Sequence, residues 1–168
     1  TGTLTGTSLT LSSMPGSIIY SHVEALTVSL GSGGDTFVIA STHAATTVLN
    51  AGPGNDTVTA ETIAGVTSIN GDAGVDTVNV RTISTATTVN GGDGNDTINV
   101  GSLAPATGGN VNSISALLTV NGNYGSDTLN VDDTSDTAAN TGTLTSTQLT
   151  GLGMSHGITY GTLEDLNI

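Results

Sequence analysis

One segment recurs five times along this chain, and its recurrence limits the fold more than any other feature. The copies are LGSGGDTFVI (30–39), AGPGNDTVTA (51–60), GDAGVDTVNV (71–80), GGDGNDTINV (91–100) and GNYGSDTLNV (122–131). They align on Asp35, Asp56, Asp76, Asp96 and Asp127, at spacings of 21, 20, 20 and 31 residues. The last spacing is one period plus a loop around SLAPATGGNVNSIS. Upstream of each glycine-rich turn lies a second short apolar stretch: ALTVS, TTVLN, TSIN, TTVN and LLTVN. Each period reads as strand, Gly-Asp turn, strand, short polar turn. A unit of two short strands cannot bury its own apolar face, but copies stacked at about 4.8 Å can. The sequence therefore predicts an all-β chain, a parallel β-solenoid with about 20 residues per coil.

Alternation along a strand sets which residues face inward. After each Asp come Thr, an apolar residue, a variable residue and a second apolar residue. The inward columns are Phe37, Val58, Val78, Ile98 and Leu129, then Ile39, Ala60, Val80, Val100 and Val131. The columns Thr36, Thr57, Thr77, Thr97, Thr128 and Val38, Thr59, Asn79, Asn99, Asn130 face outward. Asn50, Asn70, Asn90 and Asn121 precede the turns, where stacked amides can form a ladder.

A longer period relates the two ends. Residues 1–28 align without a gap to 141–168, keeping Leu4/Leu144, Met14/Met154, Tyr20/Tyr160, Glu24/Glu164 and Leu26/Leu166 in register. This reads as one full unit plus the start of the next in a tandem array. The organisation expected is the end of a preceding cap or linker over 1–25, solenoid coils over 26–131, and a cap or linker over 132–168 leading to the next unit. The linker alternates Thr with Leu, which predicts two longer strands, a hairpin-like cap or small sheet.

The charge is one-sided: Lys plus Arg is 1, Asp plus Glu is 14, and the formal net charge is −13. Nothing here can neutralise phosphates, which argues against nucleic acid and against an anionic membrane surface. There is no Cys, so a bound metal must be held by oxygen or His. No apolar run approaches the length of a transmembrane helix, and membrane insertion is not expected. No signal peptide is visible. His22, His43 and His156 are isolated from one another, and no hydrolase, zinc-protease or phosphate-loop motif occurs. The chain reads as a non-enzyme.

The turns remain to be explained, because a simple β-turn needs one or two glycine or aspartate residues and these have up to five. A hard cation such as Ca²⁺ takes six to eight oxygens at about 2.3–2.6 Å. Glycine permits the backbone conformations that aim carbonyls at an ion, and Asp adds anionic oxygen. The candidate calcium ligands are Asp35, Asp56, Asp76, Asp96 and Asp127, with the turn residues Gly33, Gly52, Gly54, Gly71, Gly74, Gly92, Asp93, Gly94, Gly122 and Gly125. A second acidic group, Asp132, Asp133 and Asp136, reads equally well as another site or as an exposed acidic loop.

GGDGNDTIN (91–99) resembles the nonapeptide G-G-x-G-x-D-x-U-x of the RTX, or haemolysin-type, calcium-binding repeats, where U is a large apolar residue. The other four segments are looser copies: Ala51, Leu30, Asp72 and Asn123 stand where the family has glycine. In the simplest RTX rolls nonapeptides follow one another and calcium lines both edges. Here there is one Gly-Asp turn per coil, which implies one ion row. The resemblance implies calcium as the cofactor, folding after export, and an extracellular or cell-surface location, as in tandem solenoid units of very large bacterial surface or secreted proteins.

The function this supports is a structural unit of a long tandem-repeat protein: a filament, stalk or adhesin extender whose partners are neighbouring units joined end to end. Two alternatives stand beside it. One is an ice- or glycan-binding module on the flat Thr/Asn face, and the other is the calcium-dependent export region of a secreted enzyme or toxin.

Overall fold

Val, Ile and Thr after each turn favour extended backbone, and Gly-Asp or polar punctuation stops each run after a few residues. The computed structural model describes all residues 1–168 and contains seventeen strands and no helix. The strands are β1 (Gly2–Leu4), β2 (Ser8–Leu11), β3 (Ser17–Ile19), β4 (Ala25–Ser29), β5 (Thr36–Ile39), β6 (Thr46–Asn50), β7 (Thr57–Ala60), β8 (Thr67–Ala73) and β9 (Thr77–Val80). They continue as β10 (Thr87–Asp93), β11 (Thr97–Val100), β12 (Leu118–Tyr124), β13 (Thr128–Val131), β14 (Gly142–Leu144), β15 (Gln148–Gly151), β16 (Ile158–Gly161) and β17 (Asp165–Asn167).

Each coil contributes one strand to each of two sheets. One sheet runs β17-β13-β11-β9-β7-β5-β1-β2-β3, the other β14-β15-β16-β12-β10-β8-β6-β4. Within the solenoid every pairing is parallel, and equivalent residues lie in direct register, such as Thr97 beside Thr77 and Thr128. The fold is the all-β parallel solenoid that the repeat predicts.

The inward columns form the core. Phe37, Val58, Val78, Ile98 and Leu129 are each no more than 2 % exposed, and Ile39, Ala60, Val80 and Val100 are equally buried. From the other sheet come Val28, Leu49, Ile69, Val89 and Val120. Burying one such aliphatic side chain contributes about 1.5–3 kcal/mol, so the stacked columns supply most of the cohesion.

Two features of the core are not visible as periodic apolar residues. Thr47, Thr67 and Thr87 stack inside the second sheet, all fully or nearly fully buried. The Thr67 and Thr87 hydroxyls donate to the carbonyls of Gly65 (2.8 Å) and Thr85 (3.0 Å), so these polar atoms are satisfied within their own turn. The turns that read as short polar connections carry a third ladder: Ile63, Ile83 and Ile114 bridge in parallel, each fully buried.

Two amide ladders run along the outward faces of the sheets, although Asn79 in the second is itself buried. Asn70 donates to Asn50, Asn90 to Asn70 and Asn121 to Asn90, each at 2.8 Å. The second runs from Thr59 through Asn79, Asn99 and Asn130 to Asn167, at 2.8–3.2 Å. Replacing Asn90 by Ala leaves the Asn121 amide without its acceptor and Asn70 Oδ1 with only the Ser68 hydroxyl, at 3.2 Å, as donor. Both groups keep some solvent access, so a loss of about 1–2 kcal/mol is expected in urea unfolding, with an unchanged fold by circular dichroism.

The duplicated ends form the small-sheet alternative, with one strand more than the two expected. Each copy is a three-stranded antiparallel meander with the same register: Leu4 lies opposite Leu9 and Leu9 opposite Ile18, as Leu144 lies opposite Leu149 and Leu149 opposite Ile158. Tyr20 donates to the Thr5 carbonyl, and Tyr160 to the equivalent Thr145 carbonyl at 2.6 Å. The expected boundary at 132 moves as well. β16 pairs with β12 and β17 with β13, so residues 158–168 form a sixth coil rather than part of a separate linker.

Candidate functional site

The Gly-Asp turns stack so closely that most of their glycines are steric requirements. Gly54, Gly74, Gly94 and Gly125 have φ of 144, 143, 134 and 139°. A Cβ on Gly74 would stand 1.8 Å from the Gly54 carbonyl oxygen, and one on Gly94 or Gly125 would stand 1.7 Å from the oxygen of Gly74 or Gly94. The amides of Gly33, Gly54, Gly74 and Gly94 donate to the carbonyls of Pro53, Ala73, Asp93 and Tyr124 in the next coil, at 2.7–2.8 Å. These carbonyls therefore serve coil-to-coil contact.

The aspartates make a second column just inside. Asp35 N–H donates to Asp56 Oδ1 (2.6 Å), Asp56 N–H to Asp76 Oδ1 (2.8 Å), Asp76 N–H to Asp96 Oδ1 (2.9 Å) and Asp96 N–H to Asp127 Oδ1 (2.8 Å). Glu164 closes the ladder: its Oε2 accepts the Asp127 amide at 2.7 Å. Asp56, Asp76, Asp96 and Asp127 are at most 2 % exposed. In each of these four, Oδ2 is buried and has no hydrogen-bond partner.

Three of those oxygens, in Asp76, Asp96 and Asp127, face the glycine that opens their turn; Ala51 holds the equivalent position before Asp56. A Cβ on Gly71 would lie 2.5 Å from Asp76 Oδ2 and 2.3 Å from the Gly91 carbonyl oxygen. The same pairing recurs at Gly91, with Asp96 Oδ2 and the Gly122 oxygen, and at Gly122, with Asp127 Oδ2 and the Thr162 oxygen. A row of electron-rich oxygens thus lines the inner wall of the turn edge, where a proton or a cation would offset the cost of their burial.

Burial dominates the titration of Asp56, Asp76 and Asp96. It raises the Asp76 carboxyl from 3.8 to about 6, against the lowering effect of the Asp56 amide and with the charges of Asp96, Asp56 and Asp72 adding to the rise. Asp56 and Asp96 are raised for the same first reason, with further rises from Asp35 and Asp72 for Asp56 and from Asp127 for Asp96. The only arginine, Arg81, pairs with Glu61 at 3.1 Å, so it takes no part.

The other candidate residues fall in three places. Asp35 begins the ladder with its side chain 30 % exposed. Gly52 and Gly92 occupy the left-handed region at φ 91 and 121° and belong to the close-packed turn wall. Asp93 is exposed on the turn's outer side, away from the buried row. Asp132, Asp133 and Asp136 do not join the ladder. Asp132 Oδ2 accepts the Gly109 amide (2.6 Å), Asp133 Oδ1 the Val111 amide (3.2 Å), and Asp136 the Ala138 amide (2.7 Å) and Asn140 side chain (2.6 Å). The first two tie down the loop inserted between the fourth and fifth coils. The Thr134 hydroxyl, then the Gly109 amide, holds the Asp132 carboxyl below its usual range.

The sequence reading missed two members of the site. Gly91 carries both an Oδ2 contact and a carbonyl in the row, yet only its neighbour Gly92 was among the expected ligands. Glu164 was assigned to the linker, although EDLNI (164–168) parallels DTLNV (127–131) closely enough to reveal a sixth coil.

No group of three or more His, Asp or Glu side chains is arranged to hold a metal ion. Any cation on this row would therefore be held by one carboxylate per coil together with backbone carbonyls, a hard all-oxygen set that suits calcium in kind. The largest surface cleft lies elsewhere, between the 104–107 loop and Asn99, Asn130 and Asn167, and brings together no pair of catalytic groups. Comparison of the chain with protein-family models, curated proteins and solved structures finds no match.

Proposed function

We propose that this chain is a structural repeat unit of a long extracellular tandem-repeat protein, a stalk or filament segment whose aspartate row is neutralised by calcium at neutral pH. The observation that carries the proposal is the line of four buried, unpartnered carboxylate oxygens in a protein with almost no basic residues. A row of like charges in a buried edge opposes stacking unless something positive joins it. Oδ2 of Asp56, Asp76, Asp96 and Asp127, with the Gly91 and Gly122 carbonyls beside them, would hold the ion. Calcium would supply charge compensation between coils and no chemistry of its own. The apolar, amide and isoleucine ladders support a passive, elongated load-bearing role.

A second reading has its own support. The raised Asp76 carboxyl favours a ladder held by protons in a metal-free solenoid. Calorimetric titration of chelator-treated protein at pH 7.5 separates the two. Binding of several calcium ions, with a gain of about 10 °C or more in Tm, is the expected result. Absence of binding, with an unchanged Tm, would remove calcium and leave the proton-held solenoid.

A further inference from the structure

The two copies of the duplicated segment attach to the solenoid in different ways, and each leaves unused the strand edge that the other uses. The N-terminal meander docks through its first strand: β1 pairs in parallel with β5, and β3 ends its sheet. The C-terminal meander docks through its third strand: β16 pairs in parallel with β12, and β14 ends its sheet. The strand after the meander behaves alike. β4 pairs only with β6, whereas its counterpart β17 pairs only with β13.

Backbone parity shows that these edges do not compete. The Glu24 carbonyl and Leu30 amide bond to the coil of β6, so even-numbered residues of that strand face forward. In the other copy the Asp127 carbonyl is shared by the amides of Glu164 and Asp165, equivalent to residues 24 and 25, so the backward-facing set starts at the boundary between them. The meander obeys the same rule. The Leu4 carbonyl faces β5, while the Gly157 carbonyl, equivalent to residue 17, faces β12.

Exposure points the same way. Ile18 is 52 % exposed and its counterpart Ile158 is fully buried; Leu144 is 55 % exposed and its counterpart Leu4 is fully buried. Ile168 is 59 % exposed where Val28 is 5 %. The side chains stranded at one end are core residues at the other, so the molecule itself displays what covers them.

We propose that the duplicated segment is a shared junction, in which one meander and its following strand use both edges at once to join the solenoid before it to the solenoid after it. This rests on the tandem-array reading, and the occupant of each free edge is the neighbouring unit. β16, β15 and β14 then lead from β12 to the next unit's β5, and β17 serves as the next unit's β4 between β13 and β6. Each sheet of one unit continues into the opposite sheet of the next. Neighbouring units are therefore related by a half-turn about the long axis, and the aspartate row alternates from side to side. Three strands cross the junction on one face and one on the other, an excess of about 10 Å at 4.8 Å per strand. The junction is accordingly bent, or the meander arches outward.

The test uses a two-unit chain, residues 1–168 followed directly by a second copy of 29–168. Thr3 lies beside Val38 in the N-terminal docking. Thr143→Cys at the junction and Val38→Cys in the second unit should therefore form a disulfide under mild oxidation, since neighbouring strands bring their Cα atoms within bonding range. Thr3→Cys with Val38→Cys in the first unit is the control that the solenoid end is folded. In parallel, Leu144→Asp should leave the Tm of the 168-residue chain within about 1 °C and lower that of the two-unit chain by about 10 °C, as for a charge placed in a core. A control disulfide without the junction disulfide, or equal Tm changes in both chains, would overturn the shared junction. Running both with calcium and with chelator keeps this outcome separate from the calcium reading, because the control disulfide reports folding in either condition.

Discussion

Replacing Gly94 by alanine is expected to abolish the folded state of the middle coils, with a loss of more than about 4 kcal/mol. Two independent costs act there. The residue sits at φ 134°, and its new methyl carbon would stand 1.7 Å from the Gly74 carbonyl oxygen. The obstacle is backbone of the adjacent coil, whose position is fixed by parallel pairing on both sheets, so no side chain can rotate away. Relief requires separating two coils, which removes core contacts and ladder hydrogen bonds together. Gly31→Ala is the matched control. That glycine occupies the first coil's turn, has open space around its Cβ position, and should change stability by less than about 0.5 kcal/mol. Urea unfolding of the two variants measures the contrast. Similar stabilities would mean that the turns are looser than this packing requires.

The second large effect concerns protons and calcium at Asp76. Its carboxyl is raised from 3.8 to about 6 in the folded chain, so the folded state binds a proton more tightly than the unfolded chain does. In chelator, the contribution is fully present below pH 3.8 and is lost as pH rises through about 6. For this residue alone the loss is on the order of 3 kcal/mol, and Asp56 and Asp96 act in the same direction. Stability of metal-free protein should thus fall between about pH 4 and pH 7, the reverse of the usual acid denaturation. Calcium should flatten this profile at neutral pH and lose its effect in acid, where protons compete for the same oxygens.

Asp76→Asn separates the agents. The amide keeps an oxygen to accept the Asp56 N–H and places a neutral donor beside the Gly91 carbonyl. Without calcium, the variant should be more stable than the parent at pH 7 by about 1–3 kcal/mol and nearly insensitive to pH. With calcium, it should bind fewer ions and lose the advantage. Thermal melts across pH, with and without chelator, give both readings. A parent chain whose metal-free stability rises with pH would refute the account of the ladder.

The same residues show how far the sequence carries. Apolar alternation after each Asp fixes the inward columns, because a strand has a period of two and a stacked coil must repeat it. Phe37 through Leu129 are therefore legible as core without coordinates, as are the pre-turn asparagines as an amide ladder. The charge imbalance and the glycine-rich turns are likewise sequence facts, and they alone raise the question of a cation.

What only the tertiary structure decides depends on distances between coils. Nothing local distinguishes a carboxylate aimed outward at an ion from one aimed inward at the next amide. Stacking turns Oδ1 of each aspartate into an acceptor for the coil before it and leaves Oδ2 buried. The turn glycines look like an ion cage in the sequence, but in space the carbonyl of one coil lies against the glycine of the next. Ile63 and Ile83 sit where the sequence reads a polar turn, because a coil closes by tucking one side chain per turn inward. The two copies of the duplicated segment make the point most directly. Two related segments that share their Leu, Met and Tyr positions build the same meander twice, since its pairing is local. Which edge is used, and whether Ile18 or Ile158 meets the core, depends on the solenoid end each copy finds beside it.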